Sequence, residues 1–324
     1  VNLILVAAIT MAAKTPHLFV ANQGDKTMSV IDLQTNRQIK VIDEQQTTMH
    51  GHEVAVGRDP HIVFMPIYGN VGVGAAGLDG NEMLAIDWTT GAIKGRLDFG
   101  HGVRPHCAVY EPTRKLLYVT TELDSTVTII DPKTLKILGA VPTGAQQSHM
   151  LAISSDGRKG YTSNVNPGSV SVLDLVNRRT VAVIPISAVS QRIAISRDDR
   201  WVFTSDQTKQ RMAVIDTRTN AIARWINLPG NGYGSATTPD GHWLLVPIPS
   251  KNEVVAIDLH TFEIGHTVPV VQGPQEMLVR PDGKFAYVAG SSAKKVAVID
   301  LSQWRQTETI DVGNFPDGLA YSEG

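Results

Sequence analysis

A Val/Ile-rich triplet ending in aspartate recurs seven times along this chain, at Asp32, Asp87, Asp131, Asp174, Asp216, Asp258 and Asp300. Successive aspartates lie 55, 44 and 43 residues apart and then three times 42, which is the period of a four-stranded propeller blade. Seven such units account for nearly all of the 324 residues, and a repeat array that closes on itself is one cooperative unit. The expectation is therefore an all-β, seven-bladed propeller of four-stranded antiparallel blades, a single domain over 14–324.

The last complete unit, 273–312, shows the pattern. Met277–Arg280 is a short apolar strand, Pro281-Asp282-Gly283 a tight turn, Phe285–Ala289 a second strand, Lys295–Asp300 a third and Thr307–Val312 a fourth. The turn recurs as Ser155-Asp156-Gly157 and Pro239-Asp240-Gly241, and helical periodicity is absent. Each repeated aspartate is followed three residues later by Thr35, Thr90, Thr134, Asn177, Thr219, Thr261 or Gln303. A carboxylate there accepts hydrogen bonds from the N–H groups of the next turn, so seven copies around a ring indicate architecture rather than chemistry. The array is out of phase with its ends: His17–Ala21 opens as a second strand, and Pro316–Ser322 is a spare first strand. Pairing the two completes one blade and removes the free sheet edges that template aggregation.

Lys+Arg 29 against Asp+Glu 31 leaves a formal charge of −2, without the basic footprint of a nucleic-acid binder. A local patch that includes Arg178, Arg179 and Arg192 is compatible only with weak phosphate binding. The single cysteine, Cys107, rules out an internal disulfide and a cysteine-rich zinc site. It follows His106, and adjacent strand residues face opposite ways, so it reads as a buried structural thiol. Residues 1–13, VNLILVAAITMAA, resemble the apolar core and cleavage end of a secretory signal, though no basic segment precedes them. An extra strand packed on the disc and a translated leader upstream of a start at Met11 are the other readings. The run is too short to span a bilayer, so no transmembrane anchor is expected in the mature chain.

Phe19-Val20-Ala21-Asn22, Tyr118-Val119-Thr120-Thr121 and Tyr161-Thr162-Ser163-Asn164, each followed by a Val-Ile-Asp-like strand, resemble the YVTN-repeat seven-bladed β-propellers. That family is similar in architecture to the lactonase-type propellers, and the resemblance covers the chain after Lys14. It implies the propeller fold and a periplasmic or secreted protein, with a cytoplasmic one as the alternative. It implies no single reaction.

In a propeller of this connectivity the loops from fourth to first strand and from second to third strand surround one channel mouth. Aligning the residue that opens each first strand on Pro105-His106-Cys107 gives Asp317, His52, His106, His149, Gln191, Tyr233 and Gln275. Three consecutive blades thus present histidine. Imidazole is the commonest ligand for zinc, copper, iron or nickel, and three histidines with an open position suit an ion that polarises a carbonyl or activates water. Glu53 and Asp317 are candidates for a fourth ligand or an acid/base, and Arg104 and Arg192 for orienting an anion. Gln191, Tyr233, Gln275, Glu276 and Gln147 would bind an oxygen-rich small molecule. The plainer reading is a structural histidine duplicated with the repeat.

The 55-residue gap places a glycine-rich insertion, Pro66 to Glu82, in a second-to-third strand loop at that mouth, where it would act either as a lid or as a mobile excursion without function. Its Gly72-Val73-Gly74-Ala75-Ala76-Gly77 run matches a dinucleotide fingerprint, but no helix fits before the next strand, so no nucleotide is expected. Two functions follow. One is a binding protein that holds a metal ion, a small oxygenated ligand or a protein partner at the mouth. The alternative is a metal-assisted, lactonase-like hydrolase or lyase on the three histidines. A calcium-dependent lactonase is disfavoured because the reading finds no carboxylate-rich channel.

Overall fold

The computed structural model describes residues 15–323, so the segment 1–13 lies outside the described residues. Seven antiparallel sheets stand around a central axis. Blade 1 pairs Pro316–Ser322, its innermost strand, with His17–Asn22, followed outward by Thr27–Asp32 and Arg37–Asp43. The register sets His17 against Ser322 and Val20 against Leu319, so chain end and chain start close the ring. The innermost strands of blades 2 to 7 are His50–Gly51 with Ala55–Val56, Pro105–Glu111, Ser148–Ile153, Ala194–Ile195, Ala236–Thr237 and Pro274–Val279.

Second and third strands are buried on both faces, because each sheet packs between two neighbours. Phe19, Val30 and Ile42 of blade 1 interlock with Val63, Met65, Leu84 and Ile86 of blade 2, and each such side chain contributes about 1.5–3 kcal/mol of burial. Fourth strands alternate exposed and half-buried, as in Arg37–Asp43 and Arg179–Pro185, and their charged side chains guard the outer edge.

The repeated aspartates cap turns. Asp32 Oδ1 accepts the N–H groups of Gln34 (2.7 Å) and Thr35 (3.2 Å), and Asp300 those of Ser302 (2.8 Å) and Gln303 (3.1 Å). The other five make equivalent bonds.

Two local features position the site. Innermost strands carry a β-bulge at their entry: Thr121 pairs with Pro105 and Val119 with Ala108, and likewise Asn164 with Ser148 and Ser163 with Met150. A bulge re-aims side chains, and His106, His149 and Asp317 all sit in one. Thr120 satisfies the disrupted ladder, accepting from Cys107 N–H (2.9 Å) and donating to the His149 carbonyl (2.8 Å). The insertion is the second feature. Expected as loop from 66 to 82, it is in part the two arms of a hairpin, because Ile62–Gly69 and Asp79–Asp87 pair through Pro66 with Met83 and Ile67 with Glu82. Only 70–78 is loop. Proline and clustered glycine masked the strand pattern, and the Gly72–Gly77 run forms no helix.

Candidate functional site

His52, His106 and His149 enter the channel from three consecutive blades and pack as one cluster of rings. His106 lies 3.6 Å from His149 and 5.2 Å from His52, centroid to centroid. Tyr68, from the second strand of blade 2, packs 4.5 Å from His52 and 5.2 Å from His106. His106 is wholly buried, and neither of its ring nitrogens makes a well-formed hydrogen bond, the nearest approach being to the His149 backbone; His52 Nε2 has no partner. Native interiors rarely leave such groups unpaired. Burial first, then the neighbouring imidazoles and Arg192, hold His52 and His106 well below the usual imidazole range, so both are neutral and able to act as ligands near pH 7. The donor nitrogens of the three histidines are not all within 4.8 Å of one another; among the described residues the group that meets that spacing is His242, Asp258 and His260, on the opposite face.

Glu122 organises this half. One carboxylate oxygen is hydrogen-bonded to His149 Nδ1, and the other accepts from the Tyr68 hydroxyl at 2.8 Å. This directs His149 Nε2 away from Glu122, an arrangement typical of metal-ligating histidines. Burial, reinforced by Glu122, pushes the Tyr68 phenol up, so it remains a donor. Glu122 escaped the sequence reading. The repeat alignment carries its signal, since the residues at that position are Gln23, Tyr68, Glu122, Val165, Gln207, Pro249 and Ser291, a single carboxylate among seven.

Across the channel, Arg192 is buried and paired with three carboxylates from three blades: Glu53 (2.5 Å), Glu276 (2.8 Å) and Asp317 (2.8 Å). It also lies 4.9 Å from the Tyr233 ring centre. Carboxylates do converge on the channel, contrary to the sequence reading, with a guanidinium set among them. Burial opposes the charge on Arg192, but Asp317, Glu276 and Glu53 hold it well above its ordinary range. Burial raises Glu53 to about 8 against the opposing pull of Arg192, and raises Glu276 as well, because one cation cannot neutralise three carboxylates in a dry site. Gln23 Nε2 donates to the free oxygen of Asp317 at 2.5 Å.

Arg104 does something else. Its Nε donates to Asp79 (2.6 Å) and its Nη2 to the Ala75 carbonyl (2.7 Å), and its guanidinium stands 5.8 Å from the Tyr68 ring centre. It therefore ties the 70–78 loop to the histidine side of the mouth. Gly74, at φ +74°, lies beside the Gln147 amide. Tyr233 and Gln275 line a depression of about 410 Å³ with Gln207 and Asn231. Gln191 contributes its carbonyl to Ser163 Oγ at 2.5 Å. Cys107 is buried among Tyr118, Val127 and Leu151, and burial pushes its thiol up to about 12.

The model of the family described as lactonase, 7-bladed beta-propeller matches residues 6–223. The chain belongs to this lactonase-propeller family. A YNCE-like beta-propeller model matches 237–322, so the two matches divide this lactonase-family chain near the end of blade 5. No curated protein matches it. Among solved structures, hydrazine synthase of Kuenenia stuttgartiensis superposes with a TM-score of 0.70 at 16% identity, over 85% of this chain and 90% of that one. Dihydro-heme d1 dehydrogenase NirN in complex with DHE superposes with a TM-score of 0.68 at 15% identity, over 98% of this chain and 77% of that one. At such identities the likeness shows the fold alone. No helix among the described residues is long and apolar enough to cross a membrane.

Proposed function

We propose that this lactonase-family propeller is a binding protein whose channel mouth holds a transition metal ion on His52, His106 and His149 and receives a small oxygenated ligand beside it. The observation that carries the reading is the set of buried nitrogens of His52 and His106 that lack well-formed hydrogen bonds beside His149. Leaving such groups unsatisfied costs about 1–3 kcal/mol each, and an ion would satisfy them once the rings close in, since their donor atoms do not all stand within 4.8 Å of one another. Glu122 and Tyr68 supply the outer hydrogen bonds that orient His149. Tyr233, Gln275 and Gln191 offer the ligand hydrogen bonds. Arg192 is held by three carboxylates through its two Nη atoms, while its Nε has no hydrogen-bond partner; Arg104 is engaged by Asp79 and the Ala75 carbonyl. The proposal includes export, periplasmic or secreted, resting on the apolar segment 1–13 and the YVTN resemblance; cell fractionation with N-terminal sequencing tests it.

A second reading, a metal-assisted hydrolase or lyase, is favoured by one observation: Glu53 is raised to about 8, in the range where a carboxyl group exchanges protons near neutrality. In that reading Glu53 or Asp317 serves as acid/base next to the ion.

The test is elemental analysis of untagged protein against His52→Ala/His106→Ala/His149→Ala, with circular dichroism to verify the fold. Near-stoichiometric zinc, copper, nickel or iron in the wild type and its loss from the folded variant is the expected result. A wild type that is metal-free and takes up none of these ions when they are added overturns the three-histidine site and leaves a metal-free ligand- or protein-binding face. A metal-loaded protein that hydrolyses lactones would promote the enzyme reading instead.

A further inference from the structure

The face opposite the channel mouth carries a second group of donors that the proposed function does not use, and of these the fold employs Asp258 as a turn cap. We propose that His242, Asp258 and His260, on blade 6, form a solvent-accessible site for a divalent transition metal such as zinc. His242 follows the Pro239-Asp240-Gly241 turn, Asp258 ends the third strand, and His260 lies in the turn that Asp258 caps. Their donor atoms all lie within 4.8 Å of one another. His242 Nε2 is 3.3 Å from Asp258 Oδ2, and His260 Nδ1 is 3.4 Å from Asp258 Oδ1. Zinc held at 2.0–2.2 Å by nitrogen and oxygen in a tetrahedron separates its ligands by about 3.3 Å. Each histidine therefore stands near that spacing from one oxygen of Asp258, and the set as a whole lies within 4.8 Å.

The repeat supplies the comparison. The position before the second strand holds Pro16, His61, Lys115, Arg158, Arg200, His242 and Lys284, and the position two past the capping aspartate holds Gln34, Thr89, Lys133, Val176, Arg218, His260 and Ser302. Blade 6 alone has imidazole at both. In blade 5 the equivalent partner of the aspartate is a guanidinium, with Arg200 Nη2 2.6 Å from Asp216. Turn capping therefore needs no histidine, and the six other blades cap their aspartates without a pair of them. The backbone N–H groups of His260 (2.7 Å) and Thr261 (3.3 Å) hold the Asp258 carboxylate in place, the kind of outer support that orients a metal-binding carboxylate. Three protein donors on an exposed face leave a fourth position open to water or to a donor from another molecule.

The test titrates zinc chloride into the untagged full chain at pH 7.5 by calorimetry, comparing wild type with His260→Ala and His242→Ala. His260 is exposed and its side chain makes no core contact, so His260→Ala keeps the fold. Each variant is expected to lose one zinc equivalent or weaken it at least tenfold. The channel histidines are untouched in these variants, so any zinc bound there persists, and the triple channel variant should retain the blade 6 site. Trp243 stacks on His242 at 4.6 Å, so copper(II) at this site should quench fluorescence that Trp243→Phe removes. Identical zinc stoichiometry and affinity in wild type and His260→Ala overturn the proposal, as does a wild type that binds no zinc at about 100 μM.

Discussion

Replacing Glu53 with glutamine tests how the channel balances its buried charge. Glu53, Glu276 and Asp317 share the single guanidinium of Arg192 in a site where all four side chains are largely buried. The folded protein keeps a proton on Glu53 up to about pH 8, whereas the unfolded chain releases it near 4.5. Between those values the folded state binds more protons, so this contribution to stability is fully present below about pH 4.5 and is lost as the pH rises through 8. Of the displacement from 4.5 to about 8, the part above pH 6, at about 1.4 kcal/mol per pH unit, sets a ceiling of about 3 kcal/mol for the interval from pH 6 to pH 9. Sharing of the proton with Glu276 and relaxation of the site reduce the effect to about 1–2 kcal/mol. Glu53→Gln carries a permanently neutral isostere whose carbonyl oxygen still accepts from Arg192. The assay is urea unfolding followed by tryptophan fluorescence at pH 6 and pH 9. Wild type should lose stability between the two, and Glu53→Gln should lose about 1–2 kcal/mol less, becoming the more stable protein at pH 9. Parallel pH dependences for the two proteins would refute a proton held in this cluster.

Other residues make sharper demands on geometry. Glu122→Gln should lower transition-metal affinity about 10–100-fold while leaving the circular dichroism spectrum unchanged; unaltered affinity by competition with a chromophoric chelator would remove Glu122 from the site. Gly318→Ala should destabilise the protein by about 1–3 kcal/mol, since its added Cβ would meet Glu53 Cα and the His52 carbonyl at 2.5 Å where Gly318 N–H bonds to that carbonyl at 2.9 Å; an unchanged thermal midpoint contradicts this close approach. Arg104→Ala frees Ala75 and Asp79, and limited proteolysis should cut within 70–78 several-fold faster than in wild type.

The repeated aspartates show how much of the fold was legible. Their spacing alone gave the blade count, and Pro316–Ser322 and His17–Ala21 revealed the closure because each lacked a neighbour in phase. The shared position of His52, His106 and His149 was readable for the same reason: rotational symmetry converts an equal place in the repeat into proximity at the axis. Where the sequence was misread, the cause was local. The hairpin through Pro66 and Met83 hides behind proline and glycine, and its pairing comes from the facing strand rather than from intrinsic preference.

The all-β class, the seven blades, the turn-capping role of the aspartates and the positions that open onto the channel are all written in a period of about 42 residues. Only the tertiary structure decided which of those residues touch. Arg192 reaches Glu53 and Asp317 across separations of 139 and 125 residues, and His149 meets a glutamate from the preceding blade. His242, Asp258 and His260 come together only when adjacent turns of one blade fold side by side. A repeat pattern specifies each blade against its neighbours, but contacts across the axis depend on the radius at which the closed ring sets its innermost strands and on the bulges that turn their side chains inward.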